Sequence, residues 1–113
     1  MSDCLFCKII KGEIPSKKIY EDDKILAFYD IDPKAPFHIL FIPKDHISSA
    51  MEINDSNAAV VAHIFSVAAK IAKENNLDKG YRMVTNIGED GGQSVAHLHF
   101  HMLAGRLLSW PPG

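Results

Sequence analysis

Apolar and polar positions along the chain fall into three patterns, and each predicts a different element. Over His97–Leu103 they alternate strictly, His-Leu-His-Phe-His-Met-Leu, the period of a half-buried strand. Over Asp55–Asn76, Val60, Ile64, Val67 and Ile71 recur at helical spacing, with Val61, Phe65 and Ala68 beside them; this predicts one long helix capped by Asn54 or Asp55. Phe37–Pro43 is nearly continuous in apolar residues and reads as a central strand. Lys18–Asp22 and Lys24–Ile31 read as two further strands about an Asp22-Asp23 turn, and Tyr81–Ile87 as another. Cys4–Lys11 fits a short helical turn ended by Gly12-Glu13-Ile14-Pro15. The expected fold is α+β: an antiparallel five-stranded meander sheet with one main helix and a short N-terminal helix. The apolar stripe of the long helix is wider than one small sheet face covers, so a homodimer is expected.

The 113 residues suit a single domain over 1–113, and 47% hydrophobic content supplies one core. The net charge of −2 gives no broad electrostatic footprint for a nucleic-acid polymer, though local donors can still hold a small nucleotide. No apolar run reaches the roughly 20 residues of a membrane span, and no membrane association is expected. Met1-Ser2-Asp3-Cys4 shows no secretory signal, so the expectation is a cytoplasmic protein with reduced cysteines.

On an extended segment His97, His99 and His101 share one face, and Leu98, Phe100 and Met102 the other. One such histidine would be an ordinary polar strand residue. Three in alternation behind a glycine loop, Gly88-Glu89-Asp90-Gly91-Gly92-Gln93-Ser94, mark a site. One chemistry is a metal bound by three imidazoles. Another is covalent catalysis, in which a neutral imidazole attacks with one nitrogen while the other is held as a donor. The paired glycines, with the side chains of Gln93 and Ser94 as extra donors, suit a phosphate and favour the second. Elsewhere, Cys4-x-x-Cys7 permits a redox pair, half a zinc site or two idle thiols. Asp30 reads as an Asx-turn cap before Pro33, and Asn86 as a turn residue. His38 reads as a structural hydrogen-bonder, and His63, within the long helix, carries no assigned chemistry.

The run His97–Leu103 resembles the signature of the histidine-triad superfamily. Gly91-Gly92-Gln93-Ser94-Val95 and the tail Trp110-Pro111-Pro112-Gly113 are similar to its Hint branch. The resemblance implies hydrolysis or transfer at the α-phosphorus of purine nucleoside phosphoramidates or acyl-adenylates through a nucleotidyl-histidine, with no catalytic cofactor. His99 would be the nucleophile, His101 and His38 would assist, His97 would orient, and Ser94 would serve the leaving group. Asp30 would take the ribose, with Phe6, Ile9, Phe28 and Ile31 around a purine. Asn86, Gly92, Gln93 and Trp110 would complete the substrate site, the tail lying near the partner subunit's pocket. Some relatives pair such cysteines with two histidines, which implies a structural zinc on Cys4, Cys7, His46 and His97. The family also joins two sheets across a dimer. Asp32, Ala96 and Ala104 depart from common family residues, and Asp32 bears on base and sugar preference. A non-catalytic purine nucleotide sensor or scaffold is the alternative, and a three-histidine metalloenzyme a further one.

Overall fold

The computed structural model describes residues 3–113. Met1 and Ser2, part of the stretch considered for a secretory signal, lie outside the described residues. In chain order the elements are α1 (Leu5–Ile10), β1 (Lys18–Glu21), β2 (Ile25–Tyr29), β3 (Phe37–Pro43), a 3₁₀ turn (Ala50–Glu52), α2 (Ala59–Glu74), β4 (Tyr81–Val84) and β5 (Phe100–Ala104). The five strands form one antiparallel sheet in the order β1-β2-β3-β5-β4. Meander order holds through β1–β3. The connection containing α2 then carries the chain to the outer edge, and β5 returns between β3 and β4. The apolar run Phe37–Pro43 is the middle strand, as its two-sided burial requires.

Alternation along the strands sorts the core into two layers. Ile25, Ala27, Ile39, Phe41, Phe100 and Met102 pack against Ile64, Val67, Ala68 and Ile71 of α2. Leu26, Phe28, Leu40 and Ile42 face the other way, onto Phe6 and Ile9 of α1. Residues directly opposite in a ladder share a face, so the pairs Phe28↔Leu40, Leu40↔His101 and Val84↔His101 place His101 on the α1 side. A helix of six residues cannot roof that whole face. The remainder is where the histidines stand.

Three boundaries differ from the pattern-based expectation by three residues or more. The first turn of the long helix, from Asp55, is irregular: the Asn54 carbonyl accepts from the amides of Asn57 and Ala58, and its side chain accepts from Ser56. Asn54 therefore caps that turn, and α2 begins at Ala59 without a side-chain cap. β4 stops at Val84 instead of Ile87. The histidine strand begins at Phe100 instead of His97, because side chains take the carbonyls a ladder would use. The His99 ring donates to the His97 carbonyl, and the Thr85 hydroxyl donates to the His99 carbonyl. The Leu98 amide turns instead to the Ile47 carbonyl, 2.6 Å away.

His63 does have a role that periodicity hides. Its Nε2 lies 2.6 Å from Asp22 Oδ2, tying α2 to the β1–β2 turn. Partial burial of Asp22 opposes ionisation. Hydrogen bonds from His63, the Ile25 amide, Tyr20 and the Lys24 amide outweigh it and hold the carboxyl well below the usual carboxylate range.

Candidate active site

Two pairs of histidines fix one another's protons. His97 is fully buried, and its Nε2 donates to the Pro43 carbonyl at 2.9 Å. Its own carbonyl accepts from His99 Nδ1 at 2.7 Å. A neutral imidazole carries one proton, so His99 keeps its Nε2 lone pair free. In the second pair the Lys34 amide donates to His38 Nδ1 at 3.0 Å. His38 Nε2 then carries the proton and donates to His101 Nδ1 at 2.9 Å. His101 in turn holds its proton on Nε2, as a donor. The His99 and His101 rings stand 5.2 Å apart, so a lone pair and an N–H donor share one side of the sheet. Thr85, just past the end of β4, pins the His99 backbone through its hydroxyl at 2.8 Å.

Burial, followed by the charges of His99 and His38, pushes His101 down to about 4, and burial also lowers His38. An unfolded histidine protonates near 6.5, so between about pH 6.5 and 4 the unfolded chain binds a proton that the native ring at 101 refuses. Native stability from this group is therefore complete above about pH 6.5 and falls as pH drops towards 4, by about 1–2 kcal/mol once solvent screening of the partly exposed ring is allowed for. Urea unfolding across that window should show the loss, and His101→Asn should reduce it, leaving the part due to His38 and His97, which burial also lowers.

The glycine loop is closed by its own main chain. The Gly92 amide donates to Glu89 O and the Gln93 amide to Gly88 O, both at 3.0 Å. From sequence the Gln93 side chain is expected to meet an anion, whereas in the structure its donors meet two carbonyls. Its amide nitrogen donates to Ser48 O at 2.7 Å and Val95 O at 2.9 Å, and its Oε1 accepts from the Gly88 amide at 3.0 Å. In this structure the Gly92 N–H and the Gln93 side chain are engaged within and beside the loop. Gln93 staples the loop to the segment before the 3₁₀ turn. Gln93→Ala should cost about 1–3 kcal/mol and speed hydrogen exchange at the Gly88 amide, measurable by NMR. Gln93→Glu keeps the acceptor and should protect that amide better than Ala does.

The remaining candidates are placed as follows. Asp30 lies just past β2. Its Oδ1 accepts from the Asp32 amide at 2.8 Å, the Asx turn expected from its sequence context, and its Oδ2 sits 3.5 Å from His38 Nε2. The carboxylate thus borders the second histidine pair and retains lone pairs for a ligand. Phe6, Ile9 and Phe28 are buried together, and Ile31 is fully exposed. The Phe6 ring meets Phe28 edge-on at 5.8 Å and His99 at 5.0 Å. Asn86 is half-buried beyond the end of β4, and Ser94 is exposed on the loop. Arg82 is on the His101 face and donates to the carbonyls of Leu108 and Ser109, which lays the tail along the β4 edge. Trp110 itself is 80% exposed.

Cys4, Cys7, His46 and His97 bring one ligand atom each to a common point, all within 4.8 Å of one another. Zinc with Zn–S of about 2.3 Å and Zn–N of about 2.0 Å sets tetrahedral S–N edges of about 3.5 Å. The observed separations are 3.3 Å for Cys4 Sγ–His97 Nδ1, 3.3 Å for Cys7 Sγ–His46 Nδ1 and 3.6 Å for Cys7 Sγ–His97 Nδ1. With its Nε2 proton on a carbonyl, His97 has the tautomer a ligand needs. The donor set and the spacing fit zinc.

The three-histidine metal reading does not survive this geometry. His97 turns one ring nitrogen to the thiols and the other to the Pro43 carbonyl, so it cannot share an ion with His99 and His101. Thr85, the Lys34 amide and the Pro43 carbonyl were not foreseeable from residue type. Each acts through a contact between segments far apart in sequence.

The family model described as "Scavenger mRNA decapping enzyme C-term binding" matches residues 3–109. A 14 kDa zinc-binding protein of Zea mays is 47% identical over 99% of this chain and 89% of its own. A protein of Arabidopsis thaliana named adenylylsulfatase HINT1 is 43% identical over 99% of this chain and 78% of its own. The crystal structure of a HIT family hydrolase from Legionella pneumophila superposes with a TM-score of 0.95 at 49% identity, covering 98% of this chain and all of that one.

Proposed function

Because the chain belongs to the histidine-triad (HIT) family, in a Hint-like branch of hydrolases with a nucleotide-binding fold, we propose that it cleaves purine nucleoside phosphoramidates or acyl-adenylates at the α-phosphorus. The observation that carries this reading is the protonation pattern: a free lone pair on His99 Nε2 beside a fixed donor on His101 Nε2. His99 Nε2 attacks phosphorus, and the P–N or P–O bond to the leaving group breaks with its electron pair leaving on that atom. The Ser94 hydroxyl hydrogen-bonds the departing group, which takes its proton from solvent. His101 Nε2–H stabilises the phosphoryl oxygens, with His38 holding its tautomer. Water then attacks the nucleotidyl-histidine, releasing a nucleoside monophosphate and restoring His99.

Asp30 accepts the ribose hydroxyls, Asn86 serves the phosphate side, and Phe6, Ile9, Phe28 and Ile31 hold the purine. The name of the plant relative describes removal of an adenylyl group from sulfate, which is the same half-molecule and the same phosphorus. Cys4, Cys7, His46 and His97 hold zinc, which when bound supplies a structural cross-link between α1, the segment after β3 and the histidine segment. The two free thiols fit a reducing compartment, the cytoplasm. A homodimer forms along the β4 edge, supported by the exposure of Tyr81 on β4 and Phe65 on α2; Trp110 then contacts the partner's substrate.

The test is rapid quenching with adenosine phosphoramidate labelled at the α-phosphorus. Acid-labile, base-stable label on the protein during turnover is the expected result. Turnover without trapped label rejects the covalent route, and nucleotide binding without turnover selects the sensor reading.

A further inference from the structure

α1 belongs to two sites at once. Cys4 is its N-cap, and Cys7 lies one turn later; both thiols point at the His46–His97 cluster. Phe6, between them in sequence, packs against the histidine segment and β2. Its ring lies edge-on to His97 at 5.9 Å, His99 at 5.0 Å and Phe28 at 5.8 Å. A six-residue helix is not stable by itself, so its position is set by these side chains. A second route runs through the main chain. The His97 ring is held by the thiols and by the Pro43 carbonyl, and the carbonyl of the same residue fixes His99.

We infer that the Cys4–Cys7–His46–His97 cluster and the nucleotide pocket form one coupled unit, in which metal binding tightens purine-nucleotide binding through Phe6 and the His97 main chain. This rests on both site assignments made above. Without metal, α1 is held by the packing of Phe6 and Ile9 and by weak thiol–imidazole hydrogen bonds, with no bond that locks its N-terminal turn to the histidine segment, and its opening lets the wall formed by Phe6 move with it. With metal, three chain segments are fixed together, and nucleotide no longer bears the cost of ordering them. Linkage then demands that nucleotide tighten metal binding by the same factor.

The experiment uses the full chain, stripped of metal or loaded with one equivalent of zinc. AMP affinity is measured calorimetrically on both forms, and zinc affinity by competition with a chromophoric chelator with and without AMP. The expected result is a gain of about fivefold or more in AMP affinity on zinc loading, with the same factor recovered from the chelator competition. Cys4→Ala/Cys7→Ala should bind AMP like the stripped protein and ignore added zinc; if it does not fold, the reciprocal factors on the natural chain decide. Zinc and AMP both binding with affinities that agree within about twofold in every combination overturns the coupling and leaves both site assignments standing. Failure to bind zinc overturns the metal assignment and the coupling together, and failure to bind AMP does the same for the nucleotide pocket. An equal zinc response in the double variant also overturns the coupling, by placing the effect at another metal site.

Discussion

His99→Asn is expected to lower kcat by about 10⁴–10⁶-fold, the range seen when a covalent nucleophile is removed, while the protein stays folded and still binds AMP. Asparagine can place an amide N–H toward the His97 carbonyl that now accepts from the ring at 2.7 Å, so the backbone turn is preserved. It has no lone pair able to attack phosphorus. The ring is buried and packs edge-on against Phe6 and His101, so some stability is lost, about 1–2 kcal/mol for the smaller side chain. AMP affinity should stay within about tenfold, since that loss is of packing and not of a charged contact. Single-turnover kinetics and calorimetry on the same preparation separate the two quantities. A variant that turns over within about a hundredfold of the natural protein excludes His99 as the nucleophile. Parallel loss of affinity and rate points to a binding role instead.

What was legible in the sequence follows from which facts are local. Alternation over His97–Leu103 is a property of neighbours, and it correctly sends Leu98, Phe100 and Met102 into the α2 core. The unbroken apolar run of β3 likewise marks a strand covered on both faces. The place of β5 between β3 and β4 was not visible, because it depends on where α2 delivers the chain. Nor was the early end of the ladder at Phe100 visible. That requires the hydroxyl of Thr85 and the ring of His99 to compete for main-chain carbonyls, and Thr85 reads only as another β-branched strand residue. The engagement of Gln93 was hidden for a related reason. An amide beside two glycines looks free to meet a ligand until Ser48 O, Val95 O and the Gly88 amide are seen to occupy it.

The glycine pair supplies the other large effect, and the two members should differ. A Cβ at Gly91 would lie 2.4 Å from the carbonyl oxygen of Ile87 and 2.7 Å from its nitrogen. Both are backbone atoms within the same loop, so no side chain can yield, and Gly91→Ala must push the two strands of the loop apart. That breaks the closure made by the Gly92 and Gln93 amides and releases Ser94 from its place. The expected cost is about 1–3 kcal/mol in stability and about 10²-fold in kcat/KM, the penalty for a catalytic group misplaced by roughly 1 Å. Gly92 has the opposite character. Its φ of +78° sits in the left-handed region, but a Cβ there would meet nothing within 4 Å. Gly92→Ala should therefore cost about 1–2 kcal/mol of backbone strain and leave the loop in place, with kcat/KM within about tenfold. Thermal unfolding and steady-state kinetics on the two variants make the comparison. If Gly92→Ala proves as damaging to kcat/KM as Gly91→Ala while stability is spared, the open space beside Gly92 is occupied by substrate. The loop then contacts the phosphate directly, and its part is not limited to positioning Ser94.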